Sequence, residues 1–361
     1  MTDTVSSRPS ARWGWVWLLL ALAAVVALGT LAARTFYGDR LHRIHELAGA
    51  TMGTTWSLKV SLPEGSPPAW VDAIGDTVQT RLDRIESLMS TWDSTTELAR
   101  FNRSPSTSPT PLSPETIAVL AIAAEIGERS GGALDVTVGP LVAAWGFGPD
   151  GTDEPTRPSQ AVLDSLSPRT GLDRIRVDVP GGTATKLEPG VVVDLSAVAK
   201  GYALDVGAEG VLRMGATDFA LEVGGEARGQ GSRPDGNPWR VAVEAPTPRA
   251  RTVFRVLELR DEAIATSGDY RHFFEIEGVR YGHILDPRSG NPVQWQGYSV
   301  SVLHPEAARA DAWATALSVL GPDEGLGLAE SLGLTALFVV RVEDGRYEAR
   351  HTSDLADRIE P

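Results

Sequence analysis

The sequence predicts an α+β fold: largely antiparallel sheet with helices packed on it. Three observations carry this. Short β-like runs recur through the chain, among them IRVDV (175–179), VVVDL (191–195), WRVAVEA (239–245), VFRVLEL (253–259), YSVSVL (298–303) and TALFVV (335–340). Only a few long helical patterns interrupt them, so strict βαβ alternation is absent. No G-x-G-x-x-G opens a helix after a strand, which removes the usual dinucleotide fingerprint. The pattern leaves open a division into two lobes.

Taken in order, the chain opens with a cytoplasmic tail over 1–12 and an uncharged run over 13–33, WGWVWLLLALAAVVALGTLAA. As a helix that run would span about 31 Å, close to the hydrocarbon thickness. Trp13, Trp15 and Trp17 cluster at one end, where interfacial aromatics belong. We read an uncleaved transmembrane anchor rather than a signal peptide, because no A-x-A site closes the run. Residues 34–46 read as a linker, and one folded domain is expected over 47–361. Either reading of the run sends that domain outside the cytoplasm, so the expected location is the cell membrane, single-pass, with an extracytoplasmic catalytic domain.

Residues 54–62 alternate as a strand. Over 67–90, Val71, Ile74, Val78, Leu82, Ile85 and Leu88 recur at helical spacing. A second helix begins with Ser113 as cap and Pro114 at its first position, and stops at Gly131-Gly132. Ala133-Leu134-Asp135 then reads as the opening of a strand. A third helix starts near Pro305 and stops at Gly321-Pro322.

Composition excludes several function classes. Asp and Glu number 47 against 33 Lys and Arg, a net charge of -14, so no nucleic-acid footprint is present. There is no cysteine, which rules out disulfides, thiol catalysis and iron–sulfur ligation. It also rules out lipid attachment to an N-terminal cysteine.

Several stretches carry chemistry. In VVVDLSAVAKGYALD (191–205), Lys200 and Gly201 sit in the first turns of a helix, where both are locally unfavourable. With Ser196 as cap, the helix start would suit an anion that Lys200 also faces, and Gly201 would permit a close approach. The alternative is a surface lysine and a packing glycine. In RHFFEIEGVRYGHIL (271–285), two strands flank a Glu-Gly turn. His283, ahead of the turn-rich DPRSGNP, has a better claim than His272 to act as a base. Thr266, Ser267 and Gly268 form a small polar loop or a simple turn.

On the 305–322 helix, Asp311, Thr315 and Ser318 share one face, flanked by Ala308, Ala312 and Ala314. A carboxylate and a hydroxyl at that spacing could both reach one hard cation such as Mg²⁺; an ordinary polar face is the other reading. Trp92 reads as core on sequence alone, with stacking on a planar ligand as the alternative.

Together, MGTTW (52–56), STWDSTTELARFN (90–102), GGALDVTVGPLVAAWGFGP (131–149), VDLSAVAKGYALD (193–205), LEVGGEARGQG (221–231), ATSGDYRHFFE (265–275), GHILDPRSGNPV (282–293) and RADAWATAL (309–317) resemble the ApbE family of FAD:protein FMN transferases. The resemblance implies a Mg²⁺-dependent extracytoplasmic enzyme. Such an enzyme splits FAD, releases AMP and joins FMN through a phosphoester to a threonine of an acceptor flavoprotein, such as a subunit of a flavin-dependent membrane redox complex. It places FAD against Met52, Trp92, Ala133, Leu134, Asp135, Asp194, Lys200 and Leu285. It places Mg²⁺ on the Ala197 carbonyl and on the side chains of Asp311 and Thr315, and makes His283 the base. Ala314 stands where some relatives carry a second aspartate, which bears on whether one metal ion or two is held. An FAD pyrophosphatase, or a flavin-binding protein without turnover, would use the same contacts.

Overall fold

The structure is a computed structural model that describes residues 42–148, 157–247, 252–268, 273–293, 298–342 and 345–358. The anchor run 13–33, His272 and most of the 148–160 loop therefore lie outside the described residues. Among the described residues no helix is long and apolar enough to cross a membrane.

An eight-stranded sheet forms the frame. Its order is β1 (His42–Thr51), β2 (Thr54–Pro63), β6 (Phe219–Val223), β7 (Glu226–Gln230), β10 (Glu262–Gly268), β15 (Tyr298–His304), β16 (Thr335–Arg341) and β17 (Tyr347–His351). Every neighbouring pair is antiparallel. The smaller sheets are β3 (Thr110–Pro111) with β4 (Ile175–Asp178) and β5 (Thr183–Lys186), β8 (Trp239–Glu244) with β9 (Val253–Leu259), β11 (Phe273–Ile276) with β12 (Val279–Gly282), and β13 (Leu285–Asp286) with β14 (Asn291–Pro292). The helices are α1 (Pro68–Met89), α2 (Glu97–Arg103), α3 (Pro114–Arg129), α4 (Gly139–Ala144), α5 (Gln160–Leu166), α6 (Ser196–Arg213) and α7 (Ala307–Leu332). This is the α+β, antiparallel architecture the sequence predicts. One large core holds it, with two smaller apolar clusters beside it.

The helical periods hold. Val71, Ile74, Val78, Leu82, Ile85 and Leu88 of α1 are all buried. Ser113 caps α3 by accepting the Thr116 amide. The Glu97 carboxylate anchors that cap, taking the Ser113 amide at 2.9 Å and the Thr116 hydroxyl at 2.6 Å.

Five readings are corrected. Residues 42–46, read as linker, are the first half of β1, paired from His42↔Pro63 onward. The run 191–195 is extended and buried at alternate positions, but it joins no sheet. The side-chain amide of Asn102 takes the place of a strand partner, donating to the Val193 carbonyl (2.8 Å) and accepting the Val193 amide (2.9 Å). Ala133–Asp135 likewise form a turn rather than a strand, because Asp135 Oδ1 folds back onto the Thr137 amide and hydroxyl, both at 2.7 Å. Ser196 is the first residue of α6, not its cap; Asp194 Oδ1 accepts both its amide and its hydroxyl. Finally, α7 begins at Ala307 rather than Pro305; the stop read at Gly321-Pro322 holds, since Gly321 (φ 79°, ψ 178°) leaves the helical region and Pro322 opens a second helical stretch that continues to Leu332.

Candidate active site

One end of the large sheet gathers three of the quoted motifs. The β1–β2 hairpin turns at Met52-Gly53, with φ of 48° and 69°. A left-handed methionine is costly, and the Glu86 carboxylate on α1 braces it by accepting the Met52 amide at 2.9 Å. The β6–β7 hairpin turns alongside, at Gly224-Gly225, where the Gly224 amide donates to the Thr55 carbonyl at 3.0 Å. The β10 register, Ile264↔Ala227, brings Thr266–Gly268 to the same end.

Helices α6 and α7 cross beneath these turns. A Cβ on Gly201 would lie 2.3 Å from the Ala307 carbonyl oxygen and 2.8 Å from Asp311 Cβ. Gly201 is thus a packing glycine, and what approaches it is the first turn of α7. Asp205, one turn further along α6, caps α7 by accepting the Ala307 and Ala308 amides at 2.9 Å each.

The crossing assembles a polar cluster. Asp311 Oδ2 accepts the Gly201 amide at 3.0 Å. In a regular helix that amide faces the Ala197 carbonyl, so the Asp311 carboxylate and the Ala197 carbonyl lie beside one another. Thr315, one turn on, meets the Ser267 hydroxyl at 3.1 Å. From Ala310 to Pro322 every residue is buried except Thr315, which is half-buried. The face read as small and polar is therefore interior and not solvated, and it opens at Thr315. Lys200 pairs with Glu226 Oε1 at 2.5 Å. Glu226 lies in the LEVGGEARGQG motif but was not singled out from sequence. Its signal was a carboxylate directly after a double-glycine turn.

Burial sets the charges. It raises the Asp311 carboxyl to about 8, with Lys200 and the Gly201 amide opposing and Glu226 adding to the rise. Burial also raises Glu226, against the pull of Lys200. For Lys200, burial works against the charged form, but the carboxylates of Glu226 and Asp311 outweigh it and hold the ammonium above its ordinary range. Burial raises Asp135 as well, opposed by its bonds from Thr137.

The other predicted residues fall around this cluster. Asp194 is tied to the 133–136 turn through its amide, which donates to the Val136 carbonyl at 2.7 Å. Ala133, Leu134 and Asp135 are buried. Trp92 is 73 % exposed, which corrects its reading as core. His283 lies just after β12, not on the strand as read, and is half-buried with its ring edge-on to Phe147 at 6.4 Å. Asp286, three residues further on, is engaged by the Arg288 guanidinium at 2.9 and 3.0 Å. Leu285 packs with Leu141, Trp145 and Tyr281 in a satellite cluster.

A cleft of about 540 Å³ lies between this segment and α7, lined by Trp145, Tyr281, Asp286, Arg288, Val319 and Glu324 among others. Val319 is one turn beyond Thr315 on the same helix face, which sets this cleft one turn away from the polar cluster. Gly132 meets Arg288 across the gap, where a Cβ would sit 3.9 Å from Arg288 Cγ.

Among the described residues no group of three or more His, Asp or Glu is placed to hold a metal. The oxygens that helix geometry brings to one neighbourhood are the Asp311 carboxylate, the Ala197 carbonyl one turn before Gly201 and the Thr315 hydroxyl one turn after Asp311. That hard, sparse set suits Mg²⁺, which usually takes one or two carboxylates and completes its shell with water and substrate phosphates.

Comparison with known proteins gives the family. The model of the ApbE family matches residues 52–338. The FAD:protein FMN transferase of Vibrio cholerae serotype O1 is 38 % identical over 336 residues, covering 92 % of this chain and 97 % of that protein. Among solved structures, the flavin transferase ApbE from Vibrio cholerae superposes with a TM-score of 0.79 at 36 % identity, covering 88 % of this chain and 99 % of that one. The apo flavinyl transferase ApbE of Pseudomonas stutzeri gives 0.78 at 33 % identity, over 88 % and 97 %. The chain belongs to the ApbE family.

Proposed function

We propose that this chain is a Mg²⁺-dependent FAD:protein FMN transferase. The observation that carries the reading is the α6–α7 crossing, which sets the Asp311 carboxylate against the Gly201 amide beside the Ala197 carbonyl, with Lys200 one residue away. Phosphoryl transfer is mostly positioning and charge neutralisation, and this crossing supplies both. The family relatives named above carry the same activity in their names.

In this reading the FAD pyrophosphate lies over the crossing, with Lys200 toward a phosphate oxygen. The isoalloxazine and adenine are divided among Met52, Trp92, Ala133, Leu134, Asp135, Asp194 and Leu285. Asp311, Thr315 and the Ala197 carbonyl would hold Mg²⁺, which when bound would supply charge neutralisation for the pyrophosphate. Ala314 offers no side-chain oxygen where some relatives carry an aspartate, so one metal ion is expected. The acceptor threonine oxygen attacks the phosphorus that bears riboflavin, His283 takes the hydroxyl proton, and the P–O–P bridge breaks toward AMP. The products are FMN–O–threonine and AMP. The acceptor is a flavoprotein on the far side of the membrane, such as a subunit of a membrane redox complex, and residues 13–33 hold the enzyme there as a single-pass anchor.

Nucleotide products test the reading. With FAD, Mg²⁺ and an acceptor domain, chromatography should show AMP rising without an equal amount of free FMN. Equal free FMN and AMP would mark a pyrophosphatase. FAD bound with no AMP would mark a flavin-binding protein.

A further inference from the structure

Glu226 has no part in the steps above, yet it is the most unusual buried group near them. It opens β7 directly after the Gly224-Gly225 turn and is 2 % exposed. Oε1 holds the Lys200 ammonium, while Oε2 is buried without a hydrogen-bond partner. An unmatched buried oxygen is costly. The pair itself is weak evidence of stabilisation, because Glu226 is buried while the Lys200 side chain is 37 % exposed, so the cost of taking the carboxylate out of water is only partly repaid. Two buried carboxylates around one lysine therefore call for a reason other than stability.

The arrangement of partners gives one. Both Glu226 and Asp311 act on Lys200 electrostatically. Its ion pair is with Glu226, however, and among the described residues none joins it to Asp311. Asp311 takes the amide of the next residue, Gly201. Without Glu226, the closest anion left to the flexible lysine stem is Asp311, and an ammonium seated there would compete with a divalent cation. The Gly224 turn holds the present arrangement in place. A Cβ on Gly224 would lie 3.6 Å from Lys200 Cδ and 3.7 Å from Glu226 Oε2, so the turn backbone packs over both.

We propose that Glu226 is a positioning residue that holds the Lys200 ammonium off Asp311, keeping that carboxylate for the divalent cation and the lysine for a phosphate oxygen. The inference rests on the reading of Asp311 as the metal carboxylate.

The test is Mn²⁺ binding without FAD, read from the free-ion paramagnetic resonance signal, with the melting temperature of each variant alongside. Glu226→Gln should weaken Mn²⁺ binding by about 10–100-fold, the usual loss when a residue supporting a metal ligand is removed. Lys200→Met should bind Mn²⁺ at least as tightly as wild type. The double variant should return to within about twofold of Lys200→Met, since the competing ammonium is gone. Equal affinity in wild type and Glu226→Gln would overturn the proposal. So would a double variant as weak as Glu226→Gln, because a purely structural role is not rescued by Lys200→Met. If Glu226→Gln does not fold, Glu226→Asp carries the same test, with a smaller loss again removed by Lys200→Met. Wild-type protein that binds no Mn²⁺ would overturn the metal site itself, and it would do so before any variant is made.

Discussion

Asp311 is the residue on which the site turns. It is 3 % exposed, and the hydrogen bond found for its carboxylate comes from Gly201. Asp311→Ala should lower FMN transfer by about 10²–10³-fold, because it removes the single charged side-chain donor. Thr315→Val should cost less, since water can replace a neutral ligand. Because burial lifts the Asp311 carboxyl to about 8, metal binding at neutral pH must displace a proton. Mg²⁺ affinity should therefore climb as pH rises toward about 8 and then level off. The metal-free protein should show the opposite trend in stability. A carboxyl whose pKa is raised on folding favours the folded state when protonated, so stability falls as pH rises from the ordinary carboxylate range through about 8. Melting curves from pH 5 to 9, with and without Mg²⁺, read both trends. His283 carries a separate expectation. A positioned base is worth about 10²–10⁴-fold, so His283→Ala should keep FAD binding and lose most single-turnover transfer, while His272→Ala loses much less. Equal rates for the two variants would move His283 from catalysis to structure. At this scale the sequence showed which side chains carry charge but not their partners. Nothing in the pattern revealed that Lys200 pairs with Glu226 or that Arg288 engages Asp286, because those pairings depend on which turns the sheet brings together.

The decisive elements are α6 and α7, and their crossing explains the oddity of Gly201. Gly201→Ala would drive a methyl to 2.3 Å from the Ala307 carbonyl. The helices must then separate, at a cost of about 1–3 kcal/mol. That separation also pulls Asp311 away from Ala197, so the melting temperature and Mg²⁺ affinity should fall together; a lower melting temperature with unchanged Mg²⁺ affinity would contradict this geometry. The long amphipathic helices were legible because six apolar positions of α1 recur at helical spacing and all six are buried. Strands of the main sheet were legible for a similar reason. VVVDL was not, because its apolar run reads like a strand, yet its backbone is satisfied by the Asn102 side chain and by Val136. Gly321-Pro322 was legible as a helix stop, because Gly321 leaves the helical region; what the pattern did not show is that a second helical stretch follows at once, with both residues buried. Trp92 shows the same limit: periodicity cannot tell a core tryptophan from one exposed in the connection between α1 and α2.

At the scale of the whole molecule, the candidate site lies where one end of the eight-stranded sheet meets the α6–α7 crossing, and a cleft lies nearby between α7 and the β13–β14 hairpin. Eight motifs spread from 52 to 317 were readable as a family set, although the gathering of three of them at one end of the sheet, over the α6–α7 crossing, was not. The run 13–33 sets the expected place of action. N-terminal sequencing of native protein should find those residues still attached, and a mature start near Arg34 would contradict an anchor. The account's central claim is tested most directly by the intact mass of an acceptor domain incubated with this chain, FAD and Mg²⁺. The account predicts that the acceptor gains the mass of one FMN less one water, on a threonine and with AMP released in equal amount. An acceptor of unchanged mass, while FAD is bound or hydrolysed, would contradict it.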